Sequence, residues 1–254
     1  MRLPKFRRQH QAFLVEGADL VAAGLASGHR PQAVFVVEDS VSEAQIGALS
    51  SPAYTLPFTA VTRRVAEKLT TLETPPAVIA VFPDLQPPPL ARLRSTGLLA
   101  LYADHIADPG NLGTLIRASA AFGCAALLCS PGCADPFAPK VVRASMGAVF
   151  SLPLYADRSL GDALRELEPA RAYGLVAHGG ADLAAATLGR PAVLCVGAER
   201  AGLSEEVESL VAARLTIRLA PGAAVVESLN AGVAGAIALY EFSRRAAIPS
   251  TPGG

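Results

Sequence analysis

The sequence has no surplus of charge of either sign. Lys and Arg together number 22 and Asp and Glu 22, so the formal net charge is zero. No whole-chain field draws it to a polyanion, and any basic surface must be local. It also lacks the run of about 18 apolar residues that a membrane span needs. Its most hydrophobic late segment, Val225 to Tyr240, is broken by Glu227 and Asn230. The start, MRLPKFRRQHQ, is basic, but Ala12 to Val15 is too short for the apolar region of a signal peptide before Glu16 intervenes. A cytoplasmic protein is expected. Cysteine is scarce: Cys124, Cys129, Cys133 and Cys195 lack the paired C-x-x-C spacing of a zinc site and do not suggest a disulfide scaffold. Buried free thiols and no metal are the expectation. No G-x-G-x-x-G or Walker pattern occurs, which leaves the usual nucleotide-phosphate cradles unsupported. What is present is a hydrophobic fraction of 51% against 17% charged residues. That is the balance of a packed globular chain, neither disordered nor collagen-like.

The 254 residues allow one large domain or two modest ones. PDLQPPP, Pro83 to Pro89, holds four prolines that can neither continue a helix nor sit in a central strand, and it reads as an extended connector. The expected division is 1–83, a linker over 84–96, a second domain over 97–248 and a tail over 249–254. Upstream, VFVV (Val34 to Val37), a helical pattern around Val61 to Leu69, and VIAVF (Val78 to Phe82) make a small α/β domain. Downstream, apolar runs at Leu98 to Tyr102, Ala125 to Cys129, Ala172 to Val176, Ala192 to Val196 and Leu215 to Leu219 alternate with helical patterns. They predict a mainly parallel sheet covered on both faces. A helix from Leu229 to about Arg245 puts Leu229, Val233, Ala236, Ile237 and Tyr240 on one stripe.

Ligands of open α/β sheets bind beyond the carboxyl ends of the strands, so polar or glycine-rich segments that follow apolar runs are where chemistry is sought. Three stand out. In Ala103 to Gly123, Asp108-Pro109-Gly110 turns the chain and Asn111 is placed to cap a helix that begins at Leu112 and buries Leu112, Leu115, Ile116 and Ala120. Periodicity alone reads Asn111 as a plain cap and Arg117 as a solvated or phosphate-touching side chain. Helical side chains lean toward the amino end, so the Arg117 stem could also reach back toward Asn111. In Val196 to Ser204, Gly197, Glu199 and Gly202 are spaced around a tight turn, which is either a plain turn or a close backbone approach to a ligand. In Val225 to Glu241, Ser228 reads as the cap of the long helix and Asn230 lies in its first turn. Gly232 and Gly235 follow; each costs a helix interior about 1 kcal/mol, which points to a packing or ligand reason.

Taken in order, D-x-x-x-D-P-x-N-x-G with a following Arg (Asp104 to Arg117), G-x-E-x-x-G-L-S (Gly197 to Ser204) and E-S-L-N (Glu227 to Asn230) resemble the three motifs of the SpoU, or TrmH-like, RNA ribose 2′-O-methyltransferases. The intervening Ala134 to Leu154 is similar to that family's segment between motifs. FLVEG (Phe13 to Gly17) and PAVIAVF are similar to the substrate-binding domain that many members carry at the amino end, of L30e-like α/β type. The resemblance implies a trefoil-knotted α/β methyltransferase domain that binds S-adenosylmethionine at the knot and works as a homodimer, with residues of both chains at each site. It assigns Arg117 to the ribose hydroxyl and makes Asn111, Glu199, Ser228 and Asn230 the other signature polar positions. Cofactor contacts are expected from Gly197, Leu229, Ala177 and one of Ile217 or Leu219. The stretch from Ile217 to Gly222 departs from the family's I-P-M-like start, and Ala231-Gly232-Val233 stands where V-S-V is common.

A neutral chain needs clustered cations to hold RNA. Arg2, Lys5, Arg7 and Arg8 form one cluster, Arg63, Arg64 and Lys68 a second, and Lys140 and Arg143 lie between the first two motifs. Solvated surface charge explains each cluster equally well. A 2′-hydroxyl restricts the substrate to RNA. An amino-terminal domain of this kind accompanies ribosomal-RNA enzymes in the family, which puts rRNA ahead of tRNA. A non-catalytic RNA-binding relative and a small-molecule α/β enzyme are the competing classes. His105 and His178, each near a strand end, read as structural.

Overall fold

The computed structural model describes residues 4–38, 40, 41, 49, 58–95, 97–220 and 228–246. The chain gathers into two units, Met1–Gln86 with Asp135–Ser151, and Pro87–Ala134 with Leu152–Gly254. The expected tail, 249–254, lies outside the described residues.

The first unit is built on a four-stranded sheet. Helix α1 (Pro4–His10) leads into β1 (Ala12–Glu16), followed by α2 (Ala18–Ala26), β2 (Ala33–Val37), β3 (Phe58–Val61), α3 (Arg63–Leu69) and β4 (Val78–Pro83). The order is β1-β4-β2-β3, with β1 and β2 antiparallel to β4 and β2 parallel to β3. Although β1 is an edge strand, all five of its residues are buried. One face carries Phe13, whose ring lies 6.0 Å from Phe82, 5.0 Å from Phe137 and 5.8 Å from Phe150. The other face packs Leu14 with Val37, Val61, Ala66 and Ile79. Phe137 and Phe150 come from the 135–151 segment, which contains a short helix, Pro139–Ala144.

Two ion-pair systems fix that segment within the unit. Arg7 lies 3.0 Å from Asp84 and 2.7 Å from Asp135, with its guanidinium 5.6 Å from the Phe137 ring centre. The Glu16 side chain is wholly buried and pairs with Arg143. It also accepts from Thr70 Oγ1 at 2.7 Å and from the Thr71 backbone N–H at 2.6 Å. A buried carboxylate needs such partners, because isolated in the interior it would be strongly disfavoured.

The second unit is a wholly parallel seven-stranded sheet, ordered β7-β6-β5-β10-β8-β11-β9. In chain order these are β5 (Leu99–Asp104), β6 (Ala126–Cys129), β7 (Leu154–Tyr155), β8 (Arg171–Leu175), β9 (Ala181–Asp182), β10 (Ala192–Gly197) and β11 (Ala213–Thr216). The central strands β5 and β10 are buried over almost their whole length, the pattern of a sheet covered on both faces. Its helices are α4 (Pro109–Ala121), α6 (Leu160–Glu166), α7 (Glu205–Leu210) and α8 (Ala231–Ala246), α5 being Pro139–Ala144 of the other unit. Helices α4 and α8 pack on each other and against the central strands. Leu90, from the 3₁₀ turn Leu90–Leu93, joins Leu160, Leu167, Leu203 and Val207 in a core with Tyr102 and Val193.

The expected apolar runs fall on strands within a residue or two, except that the strand expected over Leu215 to Leu219 is β11 at Ala213–Thr216. None of the four cysteines forms a disulfide, and Cys124, Cys129 and Cys195 are buried. Among the described residues, no helix is long and apolar enough to cross a membrane, and no group of three or more His, Cys, Asp or Glu could hold a metal ion.

The α4–α8 contact explains the two glycines of the long helix. A Cβ on Gly235 would fall inside the van der Waals radius of Leu115 Cδ2, and one on Gly232 would meet Thr114 at 3.1 Å. The helix therefore buries its small face, with Ala231, Ala238, Leu239 and Phe242 inward, while Val233 (47%), Ile237 (38%) and Tyr240 (51%) of the larger stripe are exposed.

Candidate functional site at the carboxyl edge of the parallel sheet

The first two motif segments leave the carboxyl ends of the neighbouring parallel strands β5 and β10, and the third comes after β11 in the chain. The first follows β5. Helix α4 begins at Pro109 rather than Leu112, because Asp108 caps it: its Oδ1 accepts the Asn111 backbone N–H at 2.8 Å. Proline at the first helical position needs no donor and presets φ. Asn111 is therefore not a cap but a buried residue of the first turn, with its side chain free for tertiary bonds.

The second segment follows β10. A Cβ on Gly197 would overlap the backbone of Gly202, and the Ala198–Gly202 bridge closes the loop between them. Gly202 turns at φ +70°, in the left-handed region. The loop ends at Ser204, whose hydroxyl caps α7. The Ser204 N–H donates to Asp104 Oδ2 at 2.6 Å, and the other oxygen of that carboxylate meets His105 Nδ1 at 2.8 Å. Asp104 is 1% exposed, so this pairing ties the ends of β5 and β10 together.

The third segment enters α8. Asn230, not Ser228, is its cap: Asn230 Oδ1 accepts from Val233 N–H at 3.2 Å, and the helix starts at Ala231. Ser228 stands outside the helix. Pro221, Gly222, Ala223 and Val225 to Glu227 lie outside the described residues.

One hydrogen-bond chain joins the three segments. Asn111 donates its amide N–H to the Glu199 carboxylate, and its amide oxygen accepts from Asn230 Nδ2 at 2.8 Å. An ionised carboxylate only accepts, so Glu199 fixes the orientation of the Asn111 amide, and Asn111 in turn fixes that of Asn230. Residues 111, 199 and 230, far apart in sequence, become one rigid polar edge.

Beside it lies a cavity of about 220 Å³. Gly197, Ala177, Ile217, Leu219 and Leu229 all line it, together with Glu199 and Ser228. Both Ile217 and Leu219 are among the lining residues. Its walls are short apolar side chains and loop backbone, which suit a flat heteroaromatic ring held by backbone amides. Glu208, on α7, also contributes to the wall. The motif reading did not single it out, and it took in Asp104 only as the first residue of the first motif, with no role. A carboxylate directly at a strand end was the available signal for Asp104; for Glu208 there was none, since it sits among the acidic residues that favour the first turn of any helix.

Arg117 is not brought to this cavity. It is exposed on α4, two turns beyond Asn111, with no hydrogen bond or ion pair among the described residues. Of the basic residues expected to meet RNA, Arg63, Arg64 and Lys140 are exposed. Arg63 has a loose neighbour in Glu67 at 3.7 Å. Arg7 and Arg143 are engaged in the ion pairs of the first unit, and the side chain of Arg8 lies outside the described residues.

Two thiols near the sheet differ in character. Cys133 is held down to about 7, chiefly by a hydrogen bond from Cys129 that outweighs its burial. Burial pushes Cys124 up to about 12. The hydroxyl of Tyr102 is pushed up by burial and then by the Asp104 charge.

Residues 98–240 match the model of the SpoU rRNA methylase family, and residues 1–80 that of the MRM3-like substrate binding domain. An uncharacterized tRNA/rRNA methyltransferase of Synechocystis sp. is 33% identical over 98% of this chain and 90% of its own. The mitochondrial rRNA methyltransferase 3 of Mus musculus is 28% identical over 94% of this chain and 69% of its own. The crystal structure of the SpoU methyltransferase AviRb from Streptomyces viridochromogenes, in complex with AdoMet, superposes with a TM-score of 0.85 at 28% identity, covering 96% of this chain and 94% of that one.

Proposed function

The chain belongs to the SpoU rRNA methylase family, and on that premise we propose that it transfers a methyl group from S-adenosylmethionine to a ribose 2′-hydroxyl of ribosomal RNA. The observation that carries the reading is the Glu199–Asn111–Asn230 chain beside the cavity, because it unites the polar signature residues of all three motifs. Ribosomal RNA is preferred to transfer RNA because an MRM3-like substrate-binding domain precedes the methylase. The same substrate puts the chain where ribosomes are built, which we take to be the cytoplasm.

The cofactor fits the residues present: Ala177, Gly197, Ile217, Leu219 and Leu229 would hold its adenosyl part between apolar side chains and loop backbone. When bound, it supplies an electrophilic methyl on a sulfonium. The protein's task is then to align a ribose oxygen with that methyl, since holding reacting groups in line removes most of the entropic barrier. Asn111 and Asn230 offer a fixed donor–acceptor edge to the nucleotide, and Glu199 holds that edge still. Arg117 orients the hydroxyl, grips the adjoining phosphate and stabilises the developing alkoxide; a guanidinium has only donors to offer and is a poor proton acceptor.

Arg117 is exposed and does not line its own cavity, and the Val233, Ile237 and Tyr240 stripe of α8 is open, which supports a homodimer in which Arg117 of one copy serves the site of the other. The trefoil knot, with the final segment threaded through a loop at the cofactor site, belongs to the same proposal. Arg63, Arg64 and Lys140 are the exposed cations available to RNA.

The test is transfer of labelled methyl from S-adenosylmethionine to total RNA separated into ribosomal and transfer fractions. Label in the ribosomal fraction that resists alkaline cleavage at one nucleotide is expected. Arg117→Ala should cut transfer by at least about 100-fold with cofactor affinity unchanged. Label in transfer RNA alone would reassign the substrate, and near-normal turnover of the variant would remove Arg117 from the mechanism.

A further inference from the structure

The cavity wall holds a carboxylate, Glu208, that belongs to none of the three motifs. Glu199 and Glu208 contribute to the lining, and no Lys, Arg or His does so among the described residues. Of the cations beside lining residues in the chain, Arg218 lies 2.8 Å from Asp182, Arg200 is exposed between Glu199 and Ala201, and Arg214 stands 3.9 Å from Glu208 with over half of its side chain in water.

S-adenosylmethionine carries one positive charge more than the product left after transfer. The step R₂S⁺–CH₃ + ROH → R₂S + ROCH₃ + H⁺ breaks the sulfur–carbon bond, forms the oxygen–carbon bond and leaves the sulfur neutral. A wall of carboxylates therefore attracts the charged ligand more than the neutral one, whereas its shape is nearly the same for both. We infer that Glu208, acting with Glu199, makes this cavity select the sulfonium form of its ligand over the uncharged thioether product. Glu208 is thus a specificity-determining residue that lowers product inhibition. The inference rests on the cofactor assignment of the cavity. Arg214 weakens the effect by partial neutralisation of Glu208. Because the pair is about half exposed, water screens it, and the selectivity from this one charge is modest.

The test is calorimetric titration of the full chain with three ligands: S-adenosylmethionine, S-adenosylhomocysteine, and an analogue bearing an ammonium on carbon in place of the sulfonium. Glu208→Gln should weaken the two cationic ligands about fivefold and the neutral one less than twofold, a difference of the size one half-screened charge produces. Arg214→Gln should shift the ratio the opposite way. Equal weakening of all three ligands by Glu208→Gln, or an unchanged ratio in both variants, would overturn the selectivity role. Failure of the unaltered protein to bind any of the three would instead overturn the cofactor assignment beneath it.

Discussion

In the unit built on β1 to β4, charged groups drawn inward meet charged partners at once: Glu16 faces Arg143, and Arg7 lies between Asp84 and Asp135. In the parallel-sheet unit, the hydrogen-bond chain at the carboxyl edge is made with neutral partners instead. Glu199 meets the Asn111 amide, Asn111 meets Asn230, and Glu199 at the end of the chain is exposed to solvent. The first arrangement satisfies charge for the sake of packing. The second holds charge in place while leaving it available to a ligand, and that difference separates a scaffold from a site.

Three experiments can break or sharpen this contrast. Glu16→Gln leaves the Arg143 guanidinium without its anion and should cost about 3 kcal/mol, the lower end for breaking a buried pair because Arg143 is partly wetted. Urea unfolding of the full chain should register the loss while cofactor affinity stays the same; a fall in affinity of similar size would show that the scaffold pairs also serve the site. Gly235→Ala drives a methyl group into Leu115 and should cost about 2 kcal/mol, as overpacking does. Because it parts α4 from α8, it should loosen the Asn111–Asn230 bond and lower turnover as well as thermal stability. Unaltered turnover would mean that the polar edge does not depend on helix contact. The smallest effect concerns reactivity alone. The thiolate is the reactive form, so alkylation of Cys133 should climb as pH rises and reach half its plateau near pH 7, with Cys124 inert until the chain unfolds. Mass-spectrometric mapping of the labelled thiol at successive pH values checks this, and a midpoint above pH 8 would contradict the hydrogen bond from Cys129.

Much of this was readable in advance. The buried strands β5 and β10 declare themselves as unbroken apolar runs, and the three polar segments lie just beyond strand ends, where the physics of open sheets puts ligands. What failed did so for local reasons. Asn111 and Ser228 both have the chemistry of a cap, yet Asp108 and Asn230 hold that place, one because Pro109 opens the helix and the other because its oxygen reaches Val233 N–H. The stripe of Val233, Ile237 and Tyr240 looks like a core face by size, but close approach to Leu115 demands glycine and alanine there, so the larger side chains face out. Strands β7 and β9, two residues each, have no period to detect. Pairing of Arg7 and Arg143 with distant carboxylates is tertiary information that no spacing carries. The placing of residues 135–151 with the amino-terminal sheet is of the same kind.

That last feature has a consequence for biosynthesis. A ribosome delivers the chain from its amino end, so β1 and β4 emerge with the Phe13 and Phe82 rings uncovered, and the rings that cover them, Phe137 and Phe150, arrive only after much of the parallel sheet's first half. At about 5–20 residues per second the wait from Gln86 to Ser151 lasts roughly three to thirteen seconds. During it the nascent chain presents an aromatic face to its surroundings, which makes this stretch the natural client of whatever holdase waits at the exit tunnel.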